Sequence, residues 1–303
     1  MPPGAHGASL GTPTRLSGAP VVKWLLIINV AVWLLEMMTN NAPVPPAGFQ
    51  RDHDSLLWNQ GHFSVGFAVE QLQIWRFFTF QFLHANGHHL LVNMLGLFFF
   101  GHFCERWWGS RKFLFFYLST GVAGALFYVI LFYLGWFGSD PIPSRSGEMV
   151  SASYREMIGA SAGIFGILAG VAIIAPNLRV LLFFFIPMSM RTFAILALSI
   201  SVVVIGFKWN NAGGEAGHLG GAILGFILMR NPGLLGFISD GPMLGKRGPM
   251  LDAQIVREQK IQPRINISLD DSEVDRILDK VSREGLQSLT EAEKEILKRA
   301  AEQ

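Results

Sequence analysis

The chain has 303 residues, half of them hydrophobic and only 15% charged, against about 25% charged in soluble globular domains. Its mean hydropathy is +0.37 and 25 residues are Phe, more apolar side chain than a water-soluble fold can hide, so composition puts it in a lipid bilayer. A net charge of +2 argues against nucleic acid as a partner, and the single cysteine, Cys104, excludes an intrachain disulfide framework and a CxxC metal site.

Residues 1–20 are mostly Gly, Pro, Ala, Ser and Thr and read as a flexible tail. The first apolar run, Val21–Leu35, has no Ala-x-Ala site after it and reads as a retained signal anchor. A helix needs about 20 mostly apolar residues to cross the hydrocarbon core. Three stretches without Asp, Glu, Lys or Arg are long enough: 77–104, 113–139 and 157–178. Three weaker ones, 24–35, 192–207 and 216–229, are bounded by Lys23 and Glu36, by Arg191, and by Glu215 and Arg230. Hydropathy alone allows four to six spans. Six is the reading adopted, with a membrane domain over 21–230.

Residues 40–75 are too polar to span, yet carry Phe49, Leu56, Leu57, Trp58, Phe63, Phe67 and Trp75. They suit the membrane interface, where amphipathic rings collect, or equally a plain extramembrane loop. Arg106, Arg111 and Lys112 after the second span form a basic cluster expected on the cytoplasmic side. With Arg15 and Lys23 inside, six spans bring the chain back to the cytoplasm beside Arg230, Lys246 and Arg247. Residues 231–263 are rich in Gly and Pro and read as a linker. Over 264–303, Val274, Ile277, Leu278 and Val281 follow a helical pattern, Gly285 interrupts it, and Thr290 with Glu293 forms a capping box. A short soluble helical hairpin facing the cytoplasm is expected there, a possible contact for a partner.

Polar groups inside a bilayer are costly and tend to be functional. The segment Gly159-Ala160-Ser161-Ala162-Gly163-Ile164-Phe165-Gly166 lets a neighbouring backbone approach Ser161 closely. Alone, it reads more readily as a helix-packing face. In the last span Gly217, Gly221 and Gly225 recur every four residues beside His218, whose imidazole could reach a hydroxyl across the bare face or could be structural. His89 and Asn93 are four apart, hence on one helical face, and both can donate hydrogen bonds to a developing oxyanion. His84, His88 and His89 are also metal-ligand residue types, but no carboxylate lies near them in the span and no His-Glu-x-x-His is present, so a polar hydrogen-bond cluster is preferred. His102 reads as structural. Arg76, just before the second span, and Arg106, just after it, read as headgroup anchors.

Taken together and in order, Trp75-Arg76, His84 with His89 and Asn93, Glu105 with Gly109-Ser110, Gly159-x-Ser161 and Gly217-His218 with Gly221 resemble the rhomboid family, over roughly Val21 to Arg230. The resemblance implies an all-α, six-span helical bundle that hydrolyses peptide bonds in or next to transmembrane segments of other proteins. It implies Ser161 as nucleophile and His218 as base, a dyad without a carboxylate, with His89 and Asn93 as oxyanion donors. His84 matches a structural histidine, Trp75-Arg76 the interfacial first loop, and Glu105 a glutamate tying loops at the cytoplasmic end. Gly159, Phe165 and Gly221 support the site. Two positions depart from the pattern: Ala162, where many members carry Gly, and Phe165, where some carry Tyr stacked on the histidine. Inactive relatives lack the Ser or the His, so an active serine endopeptidase needing no cofactor or metal is expected. The alternative is an idle relative that binds or routes membrane proteins. The expected setting is a bacterial inner membrane, with both termini cytoplasmic.

Overall fold

The computed structural model describes residues 18–40, 54–143, 148–182, 185–209, 211–238 and 271–301. Positions 1–17 of the expected tail and 239–263 of the expected linker lie outside the described residues. The chain forms two compact units, Met1–Arg247 and Gly248–Gln303.

In the first unit, α1 (Pro20–Thr39) starts on a proline, which lacks an N–H that the first turn would leave unused. The next two N–H groups, of Val21 and Val22, are each held at 2.9 Å by the two carboxylate oxygens of Glu105. Glu36, expected to bound this span, is buried inside the helix. The run that hydropathy ranked among the weaker ones is therefore one of two described helices, with α5, that are long and apolar enough to cross a membrane.

After α1 come short pieces: α2 (Leu56–Gly61), a π-helical turn (Gly66–Glu70), α3 (Arg76–Thr79) and a 3-10 turn (Phe80–Phe82). The stretch 77–104 is thus not one helix. The chain turns extended at Leu83, and α4 (Gly87–Trp108) starts only after Asn86, whose side chain caps it by accepting the His89 N–H at 2.8 Å. It runs on through Glu105 to Gly109, whose φ of +81° lets α5 (Ser110–Tyr133) begin at once. A two-stranded ribbon follows, β1 (Ile142–Pro143) with β2 (Met149–Val150).

The stretch 157–178 shortens to α6 (Ser161–Ile174), 14 residues and therefore about 21 Å long. A hairpin, β3 (Arg179–Leu182) with β4 (Ile186–Ser189), leads into α7 (Met190–Gly206), capped where Ser189 accepts the Thr192 N–H. The last helix of the unit is α8 (Ala212–Arg230), which takes Glu215 into its first turn.

The short helix α6 is buried along most of its length among α4, α5 and α8. Glycine makes this closeness possible. A Cβ at Gly221 would collide with the Ala162 carbonyl, and one at Gly225 would sit 2.6 Å from the Gly166 Cα. On the other flank Gly220 meets Gly124 of α5, so α8 is wedged between α5 and α6. Gly217, expected on the same tight face, has only ordinary contact, 3.4 Å from Met157 Sδ. A second apolar cluster, of Phe63, Phe80, Tyr128, Met157 and Ala216, ties the segment before α4 to α5, to the residues leading into α6 and to the first turns of α8. In contrast α7 leaves Ile195, Leu196, Ile200 and Val202 exposed.

In the second unit α9 (Asp271–Glu284) and α10 (Glu291–Ala301) flank Gly285, at φ +81°. Ile277 and Leu289 are buried, and Lys280 Nζ lies 3.0 Å from Glu293. The Thr290 N–H donates to Glu293 at 2.9 Å, and the Glu293 N–H returns to Thr290 Oγ1 at 3.3 Å.

Candidate active site

Ser161 is the first residue of α6, and its N-cap, Ala160, offers no side-chain acceptor. The first intrahelical bond is made by Ile164, to the Ala160 carbonyl at 3.1 Å. The N–H groups of Ser161, Ala162 and Gly163 therefore precede the helical ladder, at the end of the helix that carries partial positive charge. The approach to Ser161 is fixed by main-chain bonds: Phe63 and Met157 exchange both N–H···O contacts (3.0 and 2.8 Å), and the Gly159 N–H reaches the Phe80 carbonyl at 2.9 Å. Gly159 has φ +117°, and a Cβ there would lie 2.9 Å from His89 Cε1 and Nε2. Only glycine satisfies both conditions.

His218 comes from α8, held against α6 by the contact of Gly221 with Ala162. Its Nε2 is 2.7 Å from Ser161 Oγ. Its ring lies flat on Phe165, one turn beyond Ser161, with centroids 4.1 Å apart and planes 6° from parallel. The Ala162 methyl packs towards α5 and α8, beside Gly124 and Gly217, so the extra carbon is accommodated in the helix packing.

Sequence reasoning missed Glu215. It was taken only as the boundary of a span, but its Oε2 lies 2.9 Å from His218 Nδ1, and the Ser201 hydroxyl of α7 donates to the same oxygen at 2.6 Å. Its spacing of three from His218 on a helix was the available signal.

From α4, His89 Nδ1 accepts the Ala85 N–H at 3.3 Å, which leaves Nε2 to carry the hydrogen of the neutral ring, on the side of Gly159 and Ser161. The His84 ring, buried, meets His89 edge-on at 5.1 Å. Asn93 Nδ2 donates to the His89 carbonyl at 2.9 Å, committing one amide hydrogen and leaving a second. His88 is exposed, and His102 lies farther along α4 against Phe103.

Arg76 is no headgroup anchor. It is buried, with Nη1 donating to the His62 carbonyl (2.6 Å), Nη2 to the Asn59 carbonyl (2.7 Å) and Nε to Gln73 (2.7 Å). These three donor atoms close the loop between α1 and α4. Glu105 does tie segments: besides the start of α1 it accepts the Ser110 hydroxyl at 2.7 Å. An apolar groove of about 500 Å³ between α1 and this loop, lined by Ile28, Val32, Leu57 and Trp75, includes neither Ser161 nor His218.

Comparison with known proteins gives two family matches: a Rhomboid domain over residues 71–231, and a family of unknown function (DUF6576) over residues 268–303. RHOMBOID-like protein 1 of Arabidopsis thaliana is 26% identical over 235 residues, covering 71% of this chain and 54% of the relative. Rhomboid protease GluP of Bacillus subtilis is 30% identical over 167 residues, covering 55% of this chain and 27% of the relative. Rhomboid protease AarA of Providencia stuartii is 26% identical over 216 residues, covering 67% and 69%. The chain thus spans about half the length of the first of these relatives and about a quarter of the second. With a Rhomboid domain over more than half of its residues, the chain belongs to the rhomboid family of integral membrane proteins.

Proposed function

We propose that the chain is an intramembrane serine endopeptidase that cuts peptide bonds in or next to transmembrane segments of other membrane proteins. The observation that carries this reading is the 2.7 Å contact between His218 Nε2 and Ser161 Oγ, supported by relatives named as rhomboid proteases.

A serine hydroxyl is a weak nucleophile until a base takes its proton. As Ser161 Oγ bonds to the substrate carbonyl carbon, its proton passes to His218 Nε2 and the carbonyl π pair moves to oxygen. His89 Nε2, the second amide hydrogen of Asn93 and the Ser161 N–H are the donors for that oxyanion, at a helix N-terminus that favours negative charge. Collapse of the intermediate breaks the C–N bond, and the leaving nitrogen takes the proton from Nε2. Water then repeats the sequence on the acyl-enzyme, releasing the new carboxyl end and restoring Ser161.

In this reading α1 and α4–α8 are the six spans of a membrane domain over 21–230. Both termini are cytoplasmic, in a bacterial inner membrane, and 264–303 is a soluble appendage open to a partner. At about 21 Å, α6 is shorter than the hydrocarbon core of about 30 Å. Its N-terminus with Ser161 would then lie below the membrane surface, in a recess that water has to reach. The substrate must offer an extended backbone, whereas a stable helix keeps its carbonyls bonded. Cleavage is expected where Gly, Pro or Ser weakens the substrate helix, after a small residue.

The test is a fluorophosphonate probe on the detergent-purified protein, with the label located by mass spectrometry. Labelling at Ser161 that is lost in both Ser161→Ala and His218→Ala supports an activated serine and its base. A folded wild type that takes no label and cleaves no reporter transmembrane substrate sinks the reading in favour of an idle, membrane-protein-binding relative.

A further inference from the structure

The base of the dyad has a partner that the hydrolase reading does not require. Three positions before His218 on α8, Glu215 sets Oε2 2.9 Å from Nδ1. An ionised carboxylate only accepts hydrogen bonds. A hydrogen at Nδ1 therefore satisfies this contact, and in a neutral ring that leaves Nε2 as the lone-pair nitrogen, the one 2.7 Å from Ser161 Oγ. The opposite tautomer would turn a donor towards Ser161 and set two lone pairs against each other at Glu215. Glu215 is itself held: the Ser201 hydroxyl of α7 donates to the same oxygen at 2.6 Å. Ser201 is fully buried on a helix whose large side chains are mostly exposed, so this contact is a specific link between α7 and α8.

We infer that Glu215, clamped by Ser201, is a positioning residue that fixes the His218 tautomer and stabilises its imidazolium during attack, making a Ser-His-Glu relay of the dyad. This rests on the hydrolase reading above and extends it. The other groups facing His218 are Ser161 and Phe165 from α6 and His89 from α4. From α5 the nearby residue is Gly124, and from α7 it is Ser201 acting through Glu215; neither titrates. Glu215 is thus the one anion described beside the ring, and it also supplies the start of α8 with the negative charge that a helix N-terminus favours.

The experiment is nitrogen-15 NMR of histidine-labelled full-length protein in detergent, with His218 assigned by its loss in His218→Ala, together with kcat and KM for a reporter transmembrane substrate across pH. In wild type the neutral His218 ring is expected to carry its hydrogen on Nδ1. In Glu215→Gln that preference is expected to be lost, since a neutral amide can face Nδ1 with either its oxygen or its NH2 group. The pH profile of kcat/KM should change with it. The same variant is expected to lose about 10²-fold or more in kcat while KM changes little, as when the orienting carboxylate of a serine-protease triad is replaced. Glu215→Asp, which keeps the charge, should recover part of that loss. A merely structural glutamate would lower the active fraction without moving the tautomer or the pH profile. Wild type with its hydrogen on Nε2, or a Glu215→Gln protein with unchanged tautomer and pH profile, overturns the inference. Wild type that cleaves nothing but shows the Nδ1 tautomer and its dependence on Glu215 overturns the hydrolase reading while supporting the role of Glu215 over His218.

Discussion

Gly159 shows how little room a single position leaves. Its φ of +117° is a conformation L side chains avoid, and any Cβ would press on the His89 ring at 2.9 Å while lying 3.6 Å from Ser161 Oγ. Gly159→Ala is expected to cost about 1–3 kcal/mol in backbone strain and to move His89 off the side where it can meet an oxyanion. Thermal unfolding in detergent should read the first effect. The rate of fluorophosphonate labelling at Ser161 should read the second, falling by more than the loss of folded protein explains. Equal losses in both would mean that His89 has no part in the chemistry. At this scale the sequence was most readable where a polar letter interrupts apolar ones: Ser161, His218, His89 and Asn93 stand out against their neighbours. It was least readable for charges at helix ends, because a headgroup anchor and a buried hydrogen-bonding hub are written with the same residue. Arg76 closes a loop through three side-chain donors, and Glu215 touches the imidazole, yet both were read as boundaries.

The elements are arranged so that the distance between Ser161 and His218 depends on helix spacing. The approach of α8 to α6 is set by Gly221 against the Ala162 carbonyl, four residues from the contact of Gly225 with Gly166, and His218 sits one turn before Gly221. Gly221→Ala should therefore force the helices apart, costing about 1–3 kcal/mol as overpacking does, and should lengthen the 2.7 Å contact and slow labelling of Ser161. Gly217→Ala is the control: its Cβ would find ordinary contact, 3.4 Å from Met157 Sδ, so stability and labelling should stay near wild type. If the two variants behave alike, the glycine spacing does not set the site. The glycine repeat was visible in the sequence, but the tight member of each pair was not, since that depends on rotation about the helix axis. Span boundaries were misread for a related reason. Hydropathy sees Phe77–Phe82 and Gly87–Cys104 as one apolar run, whereas the Asn86 cap and the extended Leu83 divide it.

At the scale of the whole molecule, every residue of the candidate site comes from the first unit, while the second carries its own small core and its own charge logic. In that second unit Glu293 accepts from the Thr290 N–H, the Thr290 hydroxyl and the Lys280 ammonium. These contacts pull its carboxyl from an ordinary 4.5 down to about 2, the backbone N–H of Thr290 foremost. A group depressed in the folded state binds its proton more readily when unfolded, so its stabilisation is complete above the unfolded value. That stabilisation should fade as pH falls from about 4.5 and be gone near 2. Acid should therefore loosen α9 and α10 through that window, seen as loss of amide protection across residues 271–301 in the full-length protein. Glu293→Gln should weaken the same helices already at neutral pH and flatten their response to acid. Every residue of the candidate site belongs to the first unit, so the fluorophosphonate label measured at neutral pH should be as strong in Glu293→Gln as in wild type. A variant that loses the label together with its C-terminal protection would mean that the two units are coupled, and that residues 264–303 take part in holding the membrane domain in its active form.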